Sequence, residues 1–195
     1  VSFAGGAATS DITVNVSGDE LVEMDETFRV TLFAPPAGSV ISQATADGTI
    51  TNDDSAVITL VGGALPEGNG PGTTNLTFTA TLSAAVDGPV SVDYATADGT
   101  ATTGDSDYQA ASGSLNFAGT ASEQQTFTVP VSGDEKVELN ETFVANLSGL
   151  NAGGFEVTLN VDANAGTIQN DDQATITLAT SGVAEGDSGT VNMVY

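Results

Sequence analysis

The chain has no cysteine, no histidine and no tryptophan, and only two basic residues, Arg29 and Lys136. Without thiols or imidazoles there can be no disulfide, zinc finger, thiolate nucleophile or histidine-based catalysis. Serine nucleophiles are left with Lys136 as their only lysine partner, and it stands in the acidic run Asp134-Glu135-Lys136-Val137-Glu138. A carboxylate pair has the chemistry for glycoside hydrolysis, but nothing in the sequence supplies a substrate cleft. The chain reads as a non-enzyme. With 26 acidic residues and a formal net charge of −24, it has no basic patch for nucleic acid or for an anionic membrane surface. No apolar run approaches the roughly 18 residues of a membrane span, so this segment has no direct membrane insertion. Helix-period apolar patterns are missing too. Three tyrosines and no tryptophan offer little to a sugar-binding platform.

What is present is repetition. Gly48-Thr-Ile-Thr-Asn-Asp-Asp54 returns as Gly166-Thr-Ile-Gln-Asn-Asp-Asp172, and each copy runs into a similar stretch, Ser55-Ala-Val-Ile-Thr-Leu60 and Gln173-Ala-Thr-Ile-Thr-Leu178. Upstream, Val16-Ser-Gly-Asp-Glu-Leu-Val-Glu-Met-Asp-Glu-Thr-Phe28 matches Val131-Ser-Gly-Asp-Glu-Lys-Val-Glu-Leu-Asn-Glu-Thr-Phe143. A period of about 118 residues is the size of a domain that buries its own core. The expected division is the C-terminal part of one repeat (1–54), a complete repeat (55–172) and the N-terminal part of a third (173–195), whose last residue, Tyr195, aligns with Phe78 in mid-strand. The junctions are minimal, which predicts a rod rather than beads on a string. Covalent linkage in a longer array is the first reading. Exchange of strands between subunits is the second, because an incomplete sandwich leaves an open edge.

Within the complete repeat, apolar residues alternate with polar ones. Leu76, Phe78, Ala80 and Leu82 interleave with threonines, and Val90, Val92 and Tyr94 follow after an Asp-Gly turn. Further rows are Leu115 and Phe117; Phe127, Val129 and Val131; and Phe143, Ala145 and Leu147. Seven or so short strands with Gly- and Asp-rich turns predict an all-β chain of tandem immunoglobulin-like antiparallel β-sandwiches, with a closed barrel as the structural alternative. Tyr94, Tyr108, Phe117, Phe127 and Phe143 fall at core positions. Pro130 marks an edge or a bulge, since it cannot donate to a ladder. Arg29 faces outward as a local charge partner.

The carboxylates are not scattered. They concentrate at Glu67, at Asp105 and Asp107, at Asp134–Glu141 and at Asp171-Asp172, with the last two segments repeated earlier in the chain. Each segment follows an odd-numbered strand of the sandwich, so all should reach one pole. Six or seven carboxylates there repel one another unless a counter-charge intervenes. A hard divalent cation supplies it, and Ca²⁺, which takes six to eight oxygens, suits flexible loops better than Mg²⁺.

The run from Val92 through Ala97-Asp-Gly-Thr-Ala-Thr, with Asp107-Tyr108, Gly113-Ser-Leu-Asn-Phe117, Val137-Glu-Leu-Asn-Glu-Thr-Phe143 and Asn170-Asp-Asp172, resembles the Calx-beta domain family. That family includes the calcium-sensing domains of sodium–calcium exchangers, integrin-β4 and many long bacterial surface proteins. The resemblance covers essentially the whole chain. It implies Ca²⁺ ligands at Glu67, Asp107, Asp134, Glu138, Glu141, Asp171 and Asp172. Asp19, Glu23, Glu26, Asp53 and Asp54 are their expected equivalents in the first repeat. Two departures, Gly133 for an Asp and Asn170 for the first of three terminal Asp, imply fewer ions or weaker binding. The resulting expectation is a non-catalytic calcium-binding structural repeat of an extracellular or cell-surface stalk, filament or adhesin. Its partners would be calcium ions and neighbouring repeats or subunits. The alternatives are a calcium-sensing regulatory domain of a membrane transporter and a protein- or glycan-binding adhesion module.

Overall fold

Alternating side chains decide the elements. The computed structural model describes residues 1–3, 9–160 and 164–194, and every regular element among them is a strand. An N-terminal hairpin pairs β1 (Glu26–Thr31) with β2 (Thr45–Ile50). Nine further strands follow: β3 (Ala56–Val61), β4 (Ala64–Pro66), β5 (Gly72–Leu82), β6 (Val90–Ala97), β7 (Ser112–Phe117), β8 (Gln124–Gly133), β9 (Glu141–Asn151), β10 (Val157–Leu159) and β11 (Asn164–Gln169). Strand β5 shows the rule plainly. Its even-numbered Leu76, Phe78, Ala80 and Leu82 are buried, while Asn75 and Thr77 face solvent.

The nine strands form two sheets, β10-β3-β5-β8 and β4-β11-β9-β6-β7. Their inner faces meet in one core, where rings pack both within a sheet and between the two. Phe78 stacks on Phe127 at 5.1 Å and tilts against Phe143 at 5.9 Å; Tyr94 covers Phe127 at 3.9 Å and Tyr108 covers Phe143 at 4.4 Å. Each such pair contributes about 0.5–1.5 kcal/mol beyond simple burial. Pro130 lies on β8, the edge strand of its sheet, and its carbonyl accepts from the N–H of Gln109 at 2.8 Å.

The all-β sandwich is as expected, and its strand pairs are antiparallel except for two short ones at the sheet edges. Strand β10 runs parallel to β3, with Val157 opposite Ala56, and β11 runs parallel to β4, with Thr167 opposite Ala64. Between β3 and β4 the chain leaves one sheet and joins the other through Gly62-Gly63. A Cβ on Gly62 would lie 2.6 Å from both the Ala165 carbonyl oxygen and the Phe78 ring, so only glycine lets the chain cross there. Strands β4 and β10, three residues each, are too short to show a period of two.

The hairpin β1–β2 repeats the register of β9–β11. Phe28 opposes Gly48 as Phe143 opposes Gly166, and Thr27 opposes Thr49 as Thr142 opposes Thr167. In both pairs the ring lies over the glycine, 2.5 and 2.6 Å from where a Cβ would stand. The expected opening strand of the third copy does not form, and no strand occurs among residues 173–194. Ile176 and Leu178 are exposed, where their counterparts Ile58 and Leu60 are core. A strand without partners cannot satisfy its backbone or bury its side chains. Tyr195 lies outside the described residues.

Candidate metal centre

The ends of four strands converge where the end of β4, the β6–β7 loop, the β8–β9 loop and the exit of β11 meet. Carboxylate oxygens of Glu67, Asp171 and Asp172 lie within 4.8 Å of one another, and those of Asp107, Glu138 and Glu141 form a second such group. Six of the seven acidic residues expected at the pole therefore stand in two triads. Asp134, the seventh, is beside the first triad rather than in it. Its Oδ1 accepts from the N–H of Lys136 at 2.7 Å and its carbonyl from Gly70 at 3.0 Å, which commits it to shaping the loop.

Local bonds aim each group. Glu67 leaves β4 with its N–H on the Gln169 carbonyl at 3.1 Å, and the N–H of Gly68 donates to Asp171 Oδ1 at 3.1 Å. Asp107 follows Ser106, a non-glycine residue with φ of 74°, and its Oδ2 accepts from the N–H of Thr102 at 2.7 Å. A left-handed non-glycine residue costs about 1–2 kcal/mol and recurs at binding loops. Glu138 is held by its N–H, which donates to Asn170 Oδ1 at 2.8 Å.

Charge crowding shows in the acidities. Burial pushes the Glu67 carboxyl above its ordinary range, and Asp134, Asp172, Asp171 and Glu141 push the same way. Glu141 is raised by burial and then by Asp107, with Lys136 opposing. Asp172 is raised by loss of solvation and then by Asp171. Two of these carboxylates, Glu67 and Asp172, are only 8% exposed, and Asp172 Oδ2 is buried with no hydrogen-bond partner among the described residues. A buried, unpaired acceptor within a carboxylate triad fits a cation. Every donor is a hard oxygen, as Ca²⁺ prefers.

The two departures from the family pattern acquire physical reasons. Asn170 is a tie that an Asp could not make in full: its amide oxygen accepts from Glu138 while its Nδ2 donates to the Asp172 carbonyl at 3.1 Å. Asn52 does the same with Glu23 and the Asp54 carbonyl, at 3.2 and 2.8 Å. Gly133 is a close approach. A Cβ there would lie 2.2 Å from the Gly68 carbonyl oxygen.

The first copy is not assembled in the same way. Among the described residues, Asp19, Glu23, Glu26, Asp53 and Asp54 form no triad of this kind. Burial and the charges of Glu26, Asp19, Asp87 and Asp54 nevertheless raise the Glu23 carboxyl. Asp87 comes from the β5–β6 turn, and its sequence signal was only that of an Asp-Gly turn. Lys136 is the other residue that sequence reasoning undervalued: its ammonium pairs with Glu138 Oε1 inside the second triad.

Together the sheets and the acidic pole define a β-sandwich module with two groups of loop carboxylates that could hold a cation. The chain belongs to the Calx-beta family, whose domain model matches residues 1–55 and 71–179. Among solved structures it is similar to the apo-form Calx CBD1 domain, at 26% identity and a TM-score of 0.45, over 59% of this chain and 98% of that one. It is also similar to the calcium binding domain CBD12 of CALX1.1, at 26% identity and a TM-score of 0.49, over 59% and 44% of the two chains. The Calx CBD2 domain is 13% identical, with a TM-score of 0.45 over 59% of this chain and 86% of that one. No curated protein matches.

Proposed function

We propose that the chain is a run of Calx-beta repeats, divided at 54 and 172, that binds Ca²⁺ at its acidic pole and serves as a non-catalytic structural module of an extracellular stalk, filament or adhesin. The observation that carries this reading is the pair of carboxylate triads at one pole, one of them containing the buried and unpartnered Asp172 Oδ2. Membership in a family with a solved member described as a calcium binding domain supports the choice of ion. Glu67, Asp171 and Asp172 would hold one ion, and Asp107, Glu138 and Glu141 a second, with Asp134 contributing charge. The ion's role is to offset repulsion and draw four loops together. The repetition, the short junctions and the near-absence of basic residues support a stalk over a sensor domain.

Removal of calcium tests it. A ligand that binds only the folded state stabilises it by about 2.7 kcal/mol at a hundredfold excess over Kd. The melting temperature of the protein should therefore be higher in millimolar Ca²⁺ than in EDTA. Coincident melting curves would remove the metal reading. Glu138→Gln combined with Asp171→Asn strikes both triads and should abolish the shift, while stability in EDTA stays unchanged or rises as repulsion is relieved.

A further inference from the structure

Residues 16–28 and 131–143 are near-copies, yet one carries a neighbour and the other is bare. Val22 is completely buried. Its N–H donates to the Ala85 carbonyl at 3.0 Å and its own carbonyl accepts from Asp87 at 2.9 Å, a parallel bridge to Val86. Its side chain joins the core of the following domain. Met24 lies against Gly154, where an added Cβ would stand 3.1 Å from the methionine methyl. The counterparts of these two residues are Val137 and Leu139: Val137 is 52% exposed against 0% for Val22, and Leu139 is 86% exposed against 52% for Met24.

The two loops are tied internally in the same way. Leu21 donates to Asp19 Oδ1 at 2.9 Å as Lys136 donates to Asp134 Oδ1 at 2.7 Å, and Glu23 donates to Asn52 as Glu138 does to Asn170. The bare loop therefore already has the shape of the docked one. Apolar residues at 137 and 139 add nothing to their own domain's core, and their exposure has a cost only a neighbour can remove.

We infer that Val137 and Leu139 form the docking site for the β5–β6 turn of a following copy of this domain, the copy that residues 173–178 open. The inference rests on the repeat reading above and gives it a contact: each acidic pole receives the turn of the next domain through a buried valine and two backbone hydrogen bonds. The occupant is argued from continuity with the junction at Val22, which the chain itself shows, and from the return of Ala56-Val-Ile-Thr-Leu60 as Ala174-Thr-Ile-Thr-Leu178 just past Asp172.

Because the chain has no cysteine, single-cysteine labelling reads the contact directly. In the protein as it stands, Val22→Cys should react with a maleimide about tenfold or more slowly than Val137→Cys, since reaction at a docked site needs local opening. When the chain is continued past Tyr195 by residues 79–172, completing the third copy, Val137→Cys should slow to the Val22→Cys rate. Unchanged rapid labelling in the continued chain would overturn the inference. Amide exchange on the unsubstituted proteins covers the case in which cysteine itself disturbs docking: the Val137 N–H should gain, in the continued chain, the protection that the Val22 N–H already has, and its failure to do so is equally fatal. The two readings fail separately. A calcium-dependent melting shift with Val137 still exposed defeats docking alone, while a protected Val137 without that shift defeats the cation site alone.

Discussion

At the scale of single residues, the pole is governed by which group satisfies which charge. Lys136 is the chain's only lysine, and it places its ammonium on Glu138 within the second triad. The corresponding residue of the first copy is Leu21. A tethered ammonium is a built-in competitor for a soluble cation at the same carboxylate, and it holds down the repulsion that Glu141 feels. Lys136→Leu should therefore tighten Ca²⁺ binding at that triad while lowering stability in EDTA, and isothermal titration with paired melts in chelator checks both. Equal affinity in the two proteins would show that the ammonium leaves the site at no cost. Arg29 behaves differently. It forms a two-pronged pair with Asp47 across the hairpin at 2.6 and 3.0 Å, but both side chains are largely exposed and the pair has only local meaning.

At the scale of elements, the pole depends on backbones that approach one another closely. Gly133 ends β8 where the loop after β4 crosses it, with Asn69 bridged to Asp134. Charge counting alone says that restoring an aspartate at 133 should add a ligand and strengthen the site. Packing says the reverse, because the Cβ would lie 2.2 Å from one backbone oxygen and 2.8 Å from another. Neither is the end of a flexible side chain that could move aside. Gly133→Asp should destabilise the protein by about 1–3 kcal/mol, as overpacking typically does, and should weaken Ca²⁺ binding. Denaturant unfolding with and without Ca²⁺ measures both effects, and a variant that binds more tightly at unchanged stability would refute the packing argument.

At the scale of the whole molecule, the placement of the pole matters more than its charge. The acidic loop around Val22 meets the β5–β6 turn, and Asp87 from that turn stands near enough to Glu23 to raise it. Apolar contact at Val22 and backbone hydrogen bonds hold the junction against this like-charge repulsion, which a bound cation would relieve. An array of such domains should consequently be longer and stiffer in Ca²⁺ than without it. Small-angle scattering on a protein of two or more whole repeats should show a larger maximum dimension in Ca²⁺ than in EDTA, and identical dimensions would count against a mechanical role.

Much of this was written in the sequence. Alternation marked the buried rows of the five strands β5 to β9, because a residue's face in a strand follows from its parity alone. Repetition supplied the period, and the bunching of carboxylates between strands marked the pole. Tertiary structure alone decided the rest. The crossing at Gly62 and the two parallel pairings depend on contacts between residues a hundred positions apart, which no local pattern records. So does the division of seven carboxylates into two triads with Asp134 outside both. The sequence presents Val22 and Val137 as the same residue in the same motif. One is buried and the other exposed because burial belongs to the neighbour that covers a side chain, and only the fold says where a neighbour is.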